Sequence, residues 1–220
     1  MSPVRLAILG YGHVGTALAR AAAGAGHDVT LAVNPTNPDG AAAARAGDPT
    51  LASARVDDAA AAVTGADVTV LAVPFAAAGQ VLAPLAGVLV GRVLVDATNP
   101  VGPGLTHGLG SRQAGAQQVA GLAPGAHVVK AFSVYGYENL DRPPVGPGGL
   151  RAAMPYAGDD AGAKELVAGL VGDLGWEPLD VGPLAAAVDL EHLTLLWVRM
   201  VRAGGHAPRL AWAALRDGAA

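Results

Sequence analysis

The sequence predicts a doubly wound α/β fold on a mainly parallel sheet, and three observations carry that expectation. Short runs rich in Val, Leu and Ile alternate with Ala-rich runs of helical length, and strands separated by such helices imply right-handed crossovers and a parallel sheet. Hydrophobic residues make up 52% of the 220 residues but aromatics only 4%, so the core should be packed with small aliphatics. A glycine-rich turn joins the first strand-like run to the first helix-like run. The length suits one large domain, or a domain with a helical appendage.

The expected strands are "VRLAILG" (4–10), "DVTLAV" (28–33), "DVTVLAV" (67–73), "RVLVDAT" (92–98) and "HVVKAFS" (127–133). A helix over 13–25 ends in "GAGH", where Gly24 or Gly26 suits the left-handed cap. Asp57 and Asp58 open a helix that Gly65 closes, and Ser111 is placed as the N-cap of a helix reaching Leu122. Residues 134–153, dense in Gly and Pro, read as a long loop, functional or merely connecting. A strand near 154–158, a helix over 161–174 and the strand "WEPLDVG" (176–182) follow. A strong helix over 184–204 and a shorter one in "APRLAWAAL" (207–215) complete the chain.

Composition excludes several classes. The formal charge of -4 provides no basic field for nucleic acid. No cysteine is present, so disulfides, thiolate metal sites and Cys nucleophiles are ruled out. "MSPVRLAILG" runs straight into a strand pattern without a signal-like apolar run, and a cytoplasmic location is expected. Residues 68–91 carry no charge over a length that could span a bilayer, but Pro74, Pro84, Gln80 and three glycines interrupt them. A buried parallel strand followed by a helix accounts for the same pattern, so no membrane partner is expected.

Gly10-Tyr11-Gly12-His13-Val14-Gly15 follows a strand and opens a helix. In this Rossmann-type fingerprint Gly10 permits the tight turn, Gly12 leaves room for a pyrophosphate, and Gly15 lets helix and strand approach. The free N–H groups and positive dipole end of the helix then face the phosphates. Where the second strand ends, an NAD enzyme would place a carboxylate against the ribose 2′-hydroxyl. Here stand Val33, Asn34, Pro35, Thr36 and Asn37, which spare a 2′-phosphate the repulsion and favour NADP(H). Asn34, Thr36 and Asn37 are its expected partners, although no Arg stands in the loop; the bland alternative is a simple Asn-Pro turn.

Ligands in such sheets bind outside the carboxyl ends of the strands. Those ends read "AVPFA" (72–76), "DATNP" (96–100) and "KAFSVYG" (130–136). Val73, Pro74 and Phe75 should wall the nicotinamide side, and Asn99 and Pro100 turn the chain away from the sheet. Asp96 is expected to cap local backbone. His107, His127, His192 and His206 lack metal-ligand spacing, so no metal is expected. No catalytic residue stands out: Tyr-x-x-x-Lys is absent, and hydride transfer between two bound rings needs alignment rather than a nucleophile. Arg199, Arg202 and His206 suit the helix C-terminus or an anionic coenzyme tail. Leu193, Leu196, Trp197 and Met200 form an apolar stripe, read first as core and second as the face of a homodimer.

Taken in order and spacing, the glycine fingerprint, "LAVP", "VLVDATNP", "VVKAFS", "AGDD" and "PLDVGPL" leading into "LEHLTLLWVRMVR" resemble the NADP oxidoreductases dependent on the deazaflavin coenzyme F420. The resemblance covers nearly the whole chain. It implies a dinucleotide-binding domain over 1–183, C-terminal helices over 184–220 closing on the cofactor cleft, and hydride exchange between NADP(H) and the deazaflavin. It further implies that Asn99, Ser133 and residues near Gly182, Pro183 and Leu184 surround the two rings. The "VVKAF" strand is also similar to reductase domains of ferric reductases, which pass the hydride to a flavin. Two other readings stay open: an NADP(H)-binding sensor without turnover, and a small imine or carbonyl reductase using Tyr135, Tyr137 or Lys130 as proton donor.

Overall fold

A computed structural model describes residues 2–215. Strand β1 (Arg5–Leu9) is buried from Leu6 to Leu9, and β4 (Val68–Leu71) along its whole length, as befits strands covered on both faces. With β2 (Asp28–Val33), β3 (Arg55–Asp58), β5 (Val93–Asp96), β8 (His127–Lys130), β9 (Ala153–Gly158) and β10 (Glu177–Asp180) they form one sheet. Its order is β10-β9-β8-β5-β4-β1-β2-β3. The run from β3 to β8 is parallel, whereas β9 pairs antiparallel to β8, with Lys130 opposite Ala157. A small hairpin of β6 (Val101–Gly102) and β7 (Thr106–His107) follows β5.

The doubly wound fold is thus present. The antiparallel step follows from residues 131–152, which join β8 to β9 without a crossover helix. Strand β3 was not expected. Among the described residues it pairs only with β2, and it carries Arg55, Asp57 and Asp58, so no apolar run announces it.

Helix α1 (His13–Gly24) buries Gly15, Ala17, Leu18, Ala19 and Ala22 against the sheet, and Gly26 takes the left-handed position after it with φ +85°. Helix α2 (Gly40–Ala46) follows β2, and α3 (Ala59–Gly65) is capped by the Asp58 carboxylate, while that of Asp57 accepts from Asp58 N–H instead. The charge-free run divides into β4, a 3-10 turn, α4 (Ala78–Leu82), a second turn containing Pro84, and α5 (Ala86–Leu89). Among the described residues no helix is long and apolar enough to cross a membrane.

Helix α6 (Gly115–Leu122) starts later than expected. Ser111 is not its cap but sits at φ +58° in the preceding loop, while the Gln117 side chain accepts from Ala114 N–H at 3.0 Å. Helices α7 (Ala161–Asp173) and α8 (Ala187–Val198) occupy the expected places, and α8 runs on into a π-helical turn over Arg199–Ala203. The shorter helix expected over 207–215 is non-helical chain instead. Gly204 and Gly205 end the turn, Pro208 has no N–H to give, and the tertiary hydrogen bonds are better: Ala153 N–H donates to Trp212 O at 2.8 Å and Trp197 Nε1–H to Leu210 O at 2.8 Å.

The stripe on α8 does not behave as one face. Trp197 is 2% exposed and Leu196 46%, because Leu190, Glu191, Thr194 and Leu195 turn inward with Trp197.

Candidate functional site

The first strand-to-helix turn requires glycine at two of its three fingerprint positions. Gly10 has φ +105°, and a Cβ there would lie 2.5 Å from Ala72 O. A Cβ on Gly15 would strike the Gly10 carbonyl. A Cβ on Gly12 would meet nothing within 4 Å. The open space therefore lies in front of the N-terminus of α1, which has no side-chain cap and no acidic residue in its first turn. Such a helix end leaves N–H donors and a positive dipole end for an anion.

Tyr11 ties this turn to the loop after β2. Its hydroxyl donates to Asn37 O at 2.9 Å, and its ring occupies the space that a Cβ on Gly40 would need. Within that loop Asn34 Oδ1 accepts from Thr36 N–H at 3.0 Å and from the Thr36 hydroxyl at 2.9 Å. Asn34, Thr36 and Asn37 are all exposed. Thus Tyr11 and the loop adjoin. Gly40, which sequence reasoning passed over, is what lets Tyr11 pack.

On the other side of the sheet's carboxyl edge, Phe75 and Pro100 come together over Gly115, where a Cβ would lie 2.9 Å from the Phe75 ring and 3.0 Å from Pro100. Val73 packs beside Gly10, whose missing Cβ leaves the Val73 side chain its place, and Pro74 is exposed. Asn99 Nδ2–H donates to Ser133 O at 2.9 Å. Thr194 of α8, unforeseen, places its hydroxyl 3.1 Å from Asn99 Oδ1 and 3.0 Å from Ser133 O. Gly182 and Leu184 are anchored to the end of β9, Gly182 O accepting from Gly158 N–H at 3.1 Å and Leu184 N–H donating to Asp159 at 2.8 Å. It is therefore Thr194, one helix further on, that reaches Asn99 and Ser133.

Ser133 itself is buried, and its hydroxyl has no hydrogen-bond partner. The residue before it, Phe132, is held at φ +56°, a costly conformation for a bulky side chain. A strained residue and an unpartnered buried hydroxyl thus stand side by side just beyond β8. His13 and Val14 lie in the first turn of α1, and the His13 ring stacks on Tyr137 of the long loop with centroids 4.6 Å apart. Tyr137 of the loop over 134–153 thus packs against the first turn of α1.

Beneath the cleft lies a buried polar network. Lys130 Nζ, fully buried, donates to Asp96 at 3.1 Å and also to Thr98 O, and lies 3.3 Å from Glu191 Oε1. Asp96 accepts from Thr98 N–H at 2.9 Å and from the Thr98 hydroxyl at 2.6 Å, the local capping expected of it. Glu191 accepts from His107 Nε2 at 2.7 Å and from Gly115 N–H at 2.9 Å. His107 Nδ1 accepts from Leu109 and Ser111 N–H groups at 3.2 Å each, which sets the imidazole as the Nε2–H tautomer.

Two of the three candidate proton donors are therefore engaged elsewhere. Lys130 is spent in the network. The Tyr135 hydroxyl donates to Ala153 O at 2.8 Å and receives Trp212 N–H at 3.3 Å, and burial pushes its pKa up to about 12. Stability from this phenol is complete below the ordinary tyrosine pKa of about 10 and is lost as pH rises toward the folded value. The urea midpoint should fall between those two pH values, and Tyr135→Phe should flatten that fall. Arg202 does not wait for a coenzyme tail either: it pairs with Glu138 at 2.6 Å and lies over the Trp197 ring.

Comparison with known proteins shows the family. A family model described as NADP oxidoreductase, coenzyme F420-dependent, matches residues 5–100. The crystal structure of a hypothetical protein, SMa0349, from Sinorhizobium meliloti is 30% identical, with a TM-score of 0.73 over 84% of this chain and 89% of that one. The chain belongs to the coenzyme F420-dependent NADP oxidoreductase family. A candidate F420-dependent NADP-reductase from Arthrobacter sp. FB24 superposes on this F420-dependent oxidoreductase family member with a TM-score of 0.81 and 29% identity, covering 97% of this chain and 100% of that chain. Metalloreductase STEAP3 from Rattus norvegicus is 36% identical over 114 residues, 52% of this chain, and the chain spans only 22% of that relative's length.

Proposed function

We propose that the protein transfers a hydride between NADP(H) and a deazaflavin, coenzyme F420, with a flavin as the alternative acceptor. The observation that carries this reading is the open Gly12 position facing an uncapped helix end, across the strand ends from the unpartnered Ser133 hydroxyl. In this reading Gly10, Tyr11, Gly12, His13, Val14 and Gly15 hold the pyrophosphate, and Asn34, Thr36 and Asn37 the 2′-phosphate. Val73, Pro74, Phe75, Asn99, Pro100 and Ser133 flank the nicotinamide. When bound, NADPH supplies the hydride from that ring; the chain's own residues bind, align and exclude water. Locking Lys130, Asp96, Glu191 and Tyr135 into hydrogen bonds leaves a cleft built for alignment rather than for proton shuttling, which supports ring-to-ring transfer over imine reduction. A cytoplasmic location fits such use of NADP(H). Twofold pairing through the exposed Leu196 belongs to the same reading, and sedimentation at micromolar concentration checks it.

Steady-state oxidation of NADPH and NADH should be followed with the deazaflavin coenzyme, FMN, FAD and no acceptor in parallel. Rapid NADPH-dependent reduction of the deazaflavin is expected. Preference for FMN would move the acceptor to flavin, and no turnover with any acceptor alongside tight NADPH binding would favour a sensor. Asn34→Asp places a carboxylate beside the 2′-phosphate and should weaken NADPH by about tenfold or more while sparing NADH, one charge contact being worth roughly 1.5–3 kcal/mol. Ser133→Ala removes an unsatisfied buried group, so thermal stability should hold or rise, whereas kcat should drop about tenfold if the hydroxyl bonds the bound ring system.

A further inference from the structure

A second concavity, of about 430 Å³, is lined by Gly108, Leu109, Gly110, Arg112, Gln113 and Gln118. No carboxylate lines it. Arg112, its one cation, is exposed and makes no side-chain hydrogen bond or ion pair among the described residues, whereas Arg5, Arg20, Arg151 and Arg202 are all paired with carboxylates. Gln113 and Gln118 add amide donors beside it.

The loop that carries these groups is unusually well supported for a surface segment. Gly110 and Ser111 both sit at positive φ, +62° and +58°, and for Ser111 that conformation is unfavourable. It is maintained from below: the Leu109 and Ser111 N–H groups converge on Nδ1 of buried His107, and the other ring nitrogen is held by Glu191. Glu191 also takes the Gly115 and Ala116 N–H groups, so the α6 dipole is already answered and the free positive charge at this place is that of Arg112. The loop is continuous with the cleft, since Gly108 N–H donates to Pro100 O and Pro100 meets Phe75 over Gly115. A hydrogen-bonded loop presenting two amides and one guanidinium that is unpaired among the described residues has the donors that an anion needs.

We propose that this concavity is the subsite for the anionic tail of the hydride acceptor, a phosphate or carboxylate carried at a distance from the reacting ring. This rests on the hydride-transfer reading above. The buried His107 and Glu191 are then positioning residues for the loop, and Arg112 is the group that touches the ligand.

Two measurements test it. Titration of the isotopically labelled protein with inorganic phosphate should move the Gly108 and Gly110 amide signals and the Arg112 Nε–H signal together, which separates this site from the end of α1. In kinetics, Arg112→Glu should raise KM for the intact deazaflavin coenzyme and for FMN about 10–100-fold, while KM for the tail-less deazaflavin and for riboflavin stays within about twofold. Arg112→Lys should recover most of the loss. Equal shifts with tailed and tail-less acceptors, or Arg112 signals that phosphate does not move, would overturn the subsite. A split between deazaflavin and FMN would say which tail it takes. Phosphate binding at Arg112 in a protein that reduces no acceptor would sink the hydride-transfer reading and the tail assignment with it, leaving only an anion site, whereas turnover without the KM split sinks the subsite alone.

Discussion

Replacing Gly12 by valine should raise the Kd for NADPH at least about 100-fold, a loss of roughly 2.7 kcal/mol, while the melting temperature moves by no more than about 2 °C. Both halves follow from one fact. Gly12 has φ −72°, within reach of any L residue, and a Cβ there touches nothing. The fold has no need of glycine at this position; only a ligand in front of α1 does. Gly15→Val makes the contrast, because its side chain would collide with the Gly10 carbonyl and the fold itself should suffer. Isothermal titration with NADPH beside a thermal melt reads both quantities. A Gly12→Val protein that still binds NADPH tightly would remove the pyrophosphate from this turn.

The largest stability effect is expected at Lys130. Its ammonium is the single cation between two buried carboxylates, Asp96 and Glu191. Lys130→Met strands both, and breaking a buried pair by removing one partner costs about 3–5 kcal/mol, a large share of the 5–15 kcal/mol typical of a whole domain. Adding Asp96→Asn to Lys130→Met should restore part of the loss, since one stranded charge disappears. Urea unfolding checks this through the midpoint, with the slope unchanged. A loss below about 1 kcal/mol for Lys130→Met would show that the buried ion pairs contribute little to the stability of the fold. The network matters beyond stability, because Glu191 joins α8 to the start of α6 and, through His107, to the loop holding Arg112.

Much of this was legible before any coordinates. Gly10, Gly12 and Gly15 announce their turn because backbone sterics and the needs of a phosphate act within six residues. The central strands announce themselves because a strand buried on both faces must be apolar throughout, as β4 is. Strand β3 stayed hidden for the converse reason: an edge strand can keep Arg55, Asp57 and Asp58 in water. Ser111 misled because a serine before a helical run has the same composition whether it caps the helix or holds a strained loop. Residues 207–215 have helical composition, but their carbonyls at Leu210 and Trp212 find Trp197 and the start of β9, partners outside any local window.

The sequence by itself therefore determined the α/β architecture and the glycine turn, which depend on short-range sterics and periodicity, while its ordered motifs carried the resemblance to the family. Only the tertiary structure decided that Thr194 reaches Asn99 and Ser133, that Lys130 and Tyr135 are hydrogen-bonded within the fold, and that Arg112 faces its concavity without a partner among the described residues. Whether a polar side chain is spent or available depends on which distant atoms fill its hydrogen-bonding capacity, and those contacts exist only once the chain has closed on itself.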